Sequence, residues 1–353
     1  MTTSEPPGLS ARLSWAVVAF TIEADNEAEH RMAHRTTTGP AAGSDRGPWL
    51  TSLAMWANFL QLVPEAGLPA DQMAGPAALT NLAGLRRWGL VALDGDRVRL
   101  TRAGRRLDQV WRPLCGEVEA RWHRRFGADR LGALAQALAA VEEHRDRLLP
   151  PYLPVLGFAD GMRNHLPDDL GPAADPAASL GLLSSLARVL LSFALELEQA
   201  SRLSVAVRAS TLRVLDPVGV RPRHLPALTG ASVEAVRSQL GFLERRGCVE
   251  RLADPSAARG QVARLTERGR QAQVRSARLV AETEAVWRDR LGDAAVEDLD
   301  RALAAVVGVE QPSPLLLDGT EPHPEGWRAA RPRPATLPWY PLVLHRGGYP
   351  DGS

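Results

Sequence analysis

The chain repeats itself, and this limits its possible folds more than any other feature does. Residues 98–141 align without a gap on residues 263–306 at an offset of 165, with 18 of 44 positions identical. The matches include Leu100 with Leu265, Thr101 with Thr266, Gly104 with Gly269, Trp122 with Trp287 and Gly127 with Gly292. Upstream, LAGLRRWGLV (82–91) aligns with LGFLERRGCV (240–249), and FTIEADN (20–26) with FALELEQ (193–199). Downstream, LPPYLPVL (149–156) aligns with LPWYPLVL (337–344). Four blocks in one order imply a duplication along the whole chain, with the second copy beginning near residue 176. The 353 residues suffice for two like domains, each burying its own core.

Each copy has the same grammar. An amphipathic helix (9–30; 180–203) leads through short helices to one that ends in L-x-x-L-x-R-x-G. A strand, a turn and a strand carrying R-L-T follow, and then a long helix and a shorter one (102–124 and 128–145; 267–290 and 294–308). Thr101 and Thr266 stand where an N-cap side chain accepts an orphan backbone N–H. The first pair of strands joins through Leu93-Asp94-Gly95-Asp96, a tight hairpin turn. Helices followed by a β-hairpin form the layout of a winged helix-turn-helix. The expected fold is mostly α with small β-hairpin wings: two tandem winged helix-turn-helix domains in an intrachain pseudo-dimer. The expected boundaries are 1–156, a Pro/Gly-rich linker 157–178, a second repeat 179–310, and a tail 311–353. Trp339, Tyr340, Leu342, Val343 and Leu344 make that tail too apolar to stay undocked.

Within 212–270, Leu243-Glu244-Arg245-Arg246-Gly247 closes the expected recognition helix, Asp254-Pro255 enters the wing, and Leu265-Thr266 with Gly269-Arg270 leaves it. This run resembles the MarR family of bacterial transcription regulators. The resemblance extends over about 130 residues of the second half and reaches the first half only through the repeat. It implies double-stranded DNA as a partner and a small aromatic or phenolic effector bound between the dimerising helices and the DNA-binding lobe. Family members are typically dimers of one-domain chains, whereas this chain carries both copies, as a monomeric pseudo-dimer or as a further homodimer. The family's D-x-R at the wing tip is here Ala257 and Arg259, so the arginine lacks its acidic partner.

A recognition helix reads base edges with its first turns while flanking groups neutralise phosphates. In the second copy Ser232 is the expected N-cap, and Arg237 and Ser238 lie on the early exposed turns, Arg237 suited to a guanine edge. Arg221, Arg223 and His224 are expected at phosphates and Arg259 in the minor groove. Residues 202–290 hold 17 Arg against nine acids. The first copy offers only Thr80 and Asn81 as polar readers, has Leu79 where the second has Arg237, and carries Asp94 and Asp96 in its wing. Residues 1–176 hold 19 Arg and 21 acids, which leaves the first copy a degenerate DNA face.

All 42 basic residues are Arg, which excludes lysine Schiff-base chemistry and the phosphate-loop lysine. No G-x-S-x-G, H-E-x-x-H or Gly-rich dinucleotide loop is present, and no catalytic set, metal or cofactor is assigned. Cys115 and Cys248 lack zinc or C-x-x-C spacing. The start, with an acid and two prolines, is unlike a signal peptide, and Arg188 and Glu196 interrupt the most apolar window. A soluble cytoplasmic protein without a membrane partner is expected. Glu27, His30 and His34 share a helix face and could ligate a metal, but the face is read as solvated with a Glu27–Arg31 pair. Six of nine Trp lie in the first half, where core packing explains most of them; an effector pocket around Trp15, Phe20, Glu27, His30, Trp49 and Trp56 is the alternative. The function expected is DNA-binding regulation of transcription. The alternative is an enzyme or ligand-binding protein that keeps the duplicated fold without binding DNA.

Overall fold

The computed structural model describes residues 6–33, 51–72, 82–144, 149–152, 181–201, 203–254, 260–326, 328–329 and 333–341. The described chain is mostly helical with two small antiparallel sheets, consistent with a winged helix. In the first half, α1 (Leu9–Arg31) and α2 (Leu53–Asn58) precede β1 (Leu68–Pro69), α3 (Leu82–Arg87), β2 (Val91–Asp94) and β3 (Arg97–Leu100). Two long helices follow, α4 (Arg102–Phe126) and α5 (Ala128–Glu143). The second half begins with α6 (Leu182–Gln199) and α7 (Val205–Val207), which runs on into a π-helical turn, Arg208–Leu212. Then come α8 (Leu225–Thr229), α9 (Val233–Arg245), β4 (Val249–Ala253), β5 (Gln261–Leu265), α10 (Glu267–Leu291), α11 (Asp293–Val307) and α12 (Pro314–Asp318).

Local chemistry sets the joints between strand and long helix. Thr101 Oγ1 accepts the Gly104 N–H and Thr266 Oγ1 that of Gly269, both at 3.1 Å, which caps α4 and α10. A Cβ on Gly104 would lie 2.0 Å from the Leu90 carbonyl oxygen, and one on Gly269 2.0 Å from that of Cys248. The wings differ: β2 and β3 join through Gly95, at φ +63°, and Asp96, whereas the second wing runs through 255–259, outside the described residues. β1 pairs Leu68 with Val98, and the lone bridge of Val220 to Ala263 stands in the same place in the second half.

α1 is not the one-sided amphipathic helix expected over 9–30; it is buried around nearly its whole circumference, as befits a helix at the centre of the core. It packs on α6 and α11, while α5 packs on α6 and most extensively on α11. The ends of this assembly are joined reciprocally. The Leu9 N–H donates to Glu284 Oε1 and the Leu182 N–H to Glu119 Oε2, both at 3.0 Å, so each leading helix is capped by a long helix of the other half. The indole N–H of Trp122 donates to Glu23 at 3.1 Å, and that of Trp287 to Glu196 at 3.0 Å. Arg125 and Arg290 pair with the same two glutamates. Phe20 lies 5.4 Å from Trp122, and Phe193 lies 5.0 Å from Trp287.

The tail packs back on both halves. Asn26 Nδ2 donates to the Thr320 carbonyl at 3.1 Å, and Glu29 accepts the Arg328 N–H at 3.0 Å. Ser14 Oγ and Trp15 Nε1 donate to the carbonyls of Pro338 and Leu337 at 2.8 and 3.1 Å. Leu337 and Tyr340 are buried, while Leu342, Val343 and Leu344 lie outside the described residues. No described helix is long and apolar enough to cross a membrane.

Candidate nucleic-acid interface and ligand cavity

The helix-turn-helix of the second half is built by short-range signals. α8 ends at Gly230, whose φ of +71° suits glycine and turns the chain sharply. Ser232 then caps α9, its Oγ accepting the Ala235 N–H at 3.1 Å. Ala235, Val236, Gln239 and Leu240 face inward, which leaves Val233, Glu234, Arg237 and Ser238 on the exposed face. Buried Gln239 is held by Thr211, whose N–H donates to its Oε1 at 3.2 Å. Arg237 has no ion-pair partner among the described residues and is left available to an outside acceptor.

The flanking cations divide into two kinds. Arg223 and His224 are exposed side by side, with Arg223 Nε 3.3 Å from His224 Nε2. Arg221 is instead anchored, its Nε 2.5 Å from Asp254 Oδ2 at the base of the wing. Asp254 is buried, so the pair is partly shielded and ties Arg221 to the wing. Arg251 and Arg264 in the wing are likewise paired, with Glu244 and Glu250. Arg259, Thr80 and Asn81 lie outside the described residues. In the first wing Asp94 pairs with Arg99 at 2.9 Å.

Among the described residues, those grouped as an effector pocket in the first half are packed or paired. Trp15, Phe20 and Trp56 are packed in the core, Trp56 donating to Asp108 Oδ1 at 2.9 Å and stacking on Trp111 at 6.4 Å. Glu27 is held by Arg31 and Arg121, and His30 stacks on His323; Trp49 lies outside the described residues. Salt bridges to Arg121 and Arg31 keep the Glu27 carboxyl below its usual range despite partial burial.

A cavity of about 1040 Å³ lies between the start of α1, α6, the π-helical turn, α10 and the tail. Leu190, Phe193 and Leu197 of α6, the π-helical turn, Ser276 and Val280 of α10, and Trp339 and Tyr340 of the tail line it. In the sequence alignment Phe193 matches Phe20, and Ser276 matches Trp111. Trp111 is fully buried, whereas Ser276 lines the cavity. The sequence signal for the cavity was a small residue aligned with a large one.

The cavity has a polar side. Glu284 takes the Leu9 N–H there, and burial raises its carboxyl above the usual range. Arg208 is buried and donates to the carbonyls of Leu203 and Leu197 at 2.9 and 3.2 Å. Gln273 spans three carbonyls, those of Leu212, Arg213 and Leu215. The Tyr340 hydroxyl is buried without a hydrogen-bond partner among the described residues. The Arg213 guanidinium lies 3.8 Å over the Trp339 ring. An apolar chamber with a few fixed polar groups suits a small molecule, and a π-helical turn is a frequent companion of such sites.

No protein-family model and no curated protein matches this chain. Two solved structures are similar to part of it. CouR from Rhodococcus jostii RHA1, bound to p-coumaroyl-CoA, is 23% identical at a TM-score of 0.30, covering 36% of this chain and 91% of its own. A MarR-family transcriptional regulator from Rhodococcus sp. RHA1 is 22% identical at a TM-score of 0.30, covering 38% of this chain and 96% of its own.

Proposed function

We propose that this chain is a DNA-binding transcriptional regulator whose grip on DNA responds to a small, largely apolar molecule. The observation that carries this reading is the Ser232-capped α9, which presents Arg237 and Ser238 on an exposed face beside Arg223, His224 and a β-hairpin. The two halves act as an intrachain pseudo-dimer of winged helices, a reading supported by the reciprocal Leu9–Glu284 and Leu182–Glu119 caps. Repeat 2 supplies the armed reading head, and repeat 1 supplies the degenerate one, with Thr80 and Asn81 as its polar readers. An aromatic or phenolic ligand occupies the cavity between α6, α10 and the π-helical turn, with Tyr340 and Arg208 toward its polar end.

The cavity touches both the helices that join the halves and the segment leading into α8 and α9. A ligand there alters DNA affinity only if it favours one spacing of the reading heads. Titrating selected operator DNA at fixed salt tests the reading: Arg237→Ala should weaken binding by about 1–3 kcal/mol and relax sequence preference. Ser276→Trp, which puts a large ring into the cavity wall, should keep DNA binding and abolish the ligand response. A chain that binds no duplex DNA but converts a cavity ligand would establish the enzyme alternative.

A further inference from the structure

Glu27, His30 and His34 share a helix face in the sequence, but the structure gives His30 other company. Glu27 is committed to Arg31 and Arg121, and His34 lies outside the described residues. His30 meets His323 and Glu325 from the tail, and one ligand atom from each of the three lies within 4.8 Å of the others. We propose that His30, His323 and Glu325 form a binding site for a divalent transition-metal ion of the zinc class, clamping the tail onto the end of α1.

Donor chemistry, setting and free valence all point this way. Two imidazoles and a carboxylate are a borderline donor set that suits zinc and leaves a fourth position for water. Tetrahedral zinc, with ligands at about 2.0–2.2 Å, holds them about 3.4 Å apart, a modest contraction from the present spacing. His30 and Glu325 are exposed and can rotate to make it. The His30 and His323 rings now stack at 3.4 Å with 16° between their planes, so loading turns one ring until both nitrogens converge. His323 Nδ1 accepts the Glu325 N–H at 3.2 Å; ligation through Nε2 moves the ring proton to Nδ1 and gives up that bond.

The surroundings favour a cation. His30 is in the last turn of α1, which ends at Arg31, where carbonyl oxygens and the helix dipole present negative potential. The neighbouring guanidiniums are already engaged, Arg31 with Glu27 and Glu117 and Arg328 with Glu29. The Glu325 carboxylate has no ion-pair partner among the described residues. The three donors are brought together by the bonds that lay 320–328 along α1, from Asn26 to Thr320 and from Glu29 to Arg328. The site thus exists only in the folded chain.

Calorimetric titration of the full chain with Zn²⁺ should give one site per chain. His30→Ala and His323→Ala should each weaken it by at least the 10–100-fold that loss of a mere supporting contact costs. His123→Ala, an exposed histidine on α4, should leave it unchanged. Hydrogen exchange at 320–328 should slow when zinc is added to the parent chain and not in His30→Ala. Zinc binding of equal strength in the double variant His30→Ala/His323→Ala, or no binding at micromolar zinc, would overturn the proposal.

Discussion

Asp25 is fully buried in α1, where its Oδ1 accepts the Leu53 N–H at 2.6 Å. Burial dominates over the attraction of Arg328 and pushes its carboxyl up to about 8 from 3.8. Between those values the folded chain holds a proton that the unfolded chain has released. Stability from this group therefore falls as pH rises from about 4 to about 8 and is level above. Asp25→Asn keeps an oxygen for Leu53 and removes the ionisation, so its stability relative to the parent should climb across that window. Urea unfolding at pH 5 and pH 8 measures this, and an unchanged difference would show that Asp25 is charged in the fold. Glycines offer a second contrast. Gly269→Ala forces a methyl onto the Cys248 carbonyl and should cost about 1–3 kcal/mol, the scale of overpacking. Gly132→Ala, in α5 with open space around it, should instead stabilise by about 0.5–1 kcal/mol. Both glycines lie in helical sequence; only the fold tells them apart.

At the scale of elements, α9 was legible beforehand because its determinants are close in sequence. The Ser232 cap, the glycine turn before it and the inward period of Ala235, Val236, Gln239 and Leu240 all act within a few residues. Ser232→Ala should lower stability by about 1 kcal/mol in thermal unfolding, since it leaves the Ala235 N–H without its cap. Arg237→Ala should leave stability nearly unchanged, its side chain being exposed. Equal losses from the two would mean that Arg237 is structural. The wing was less legible. Its Asp254 enters the wing as expected, yet it is buried against Arg221, 33 positions earlier, and no local pattern announces that pairing. The π-helical turn at 208–212 also went unforeseen, because its extra residue per turn is a response to packing and not to composition.

Across the whole molecule, buried side chains from both halves and from the tail belong to one continuous core. α1 lies at its centre, with few exposed residues, so neither half has a complete interior alone. Unfolding should therefore be a single cooperative transition, followed concurrently by far-ultraviolet dichroism and by Trp fluorescence. Trp56, Trp111 and Trp122 report on the first half and Trp287 on the second. Two separated transitions would mean that the halves are energetically independent.

The sequence by itself determined what depends on near neighbours and on the period of the repeat. That includes the helix starts at Thr101, Ser232 and Thr266, the hairpin at Gly95, the placing of Arg237 on an exposed face, and the correspondence of Phe20 with Phe193. Only the tertiary structure decided that Ser276 lines a cavity while Trp111 is buried in the core. A tryptophan count does not reveal whether rings line a space or pack in a core. The tertiary structure also decided that His30 meets His323, and that Glu119 and Glu284 cap the leading helix of the opposite half. These partners lie 63 to nearly 300 residues apart, a separation at which chain-local propensity carries no information and burial of a shared core chooses the neighbour.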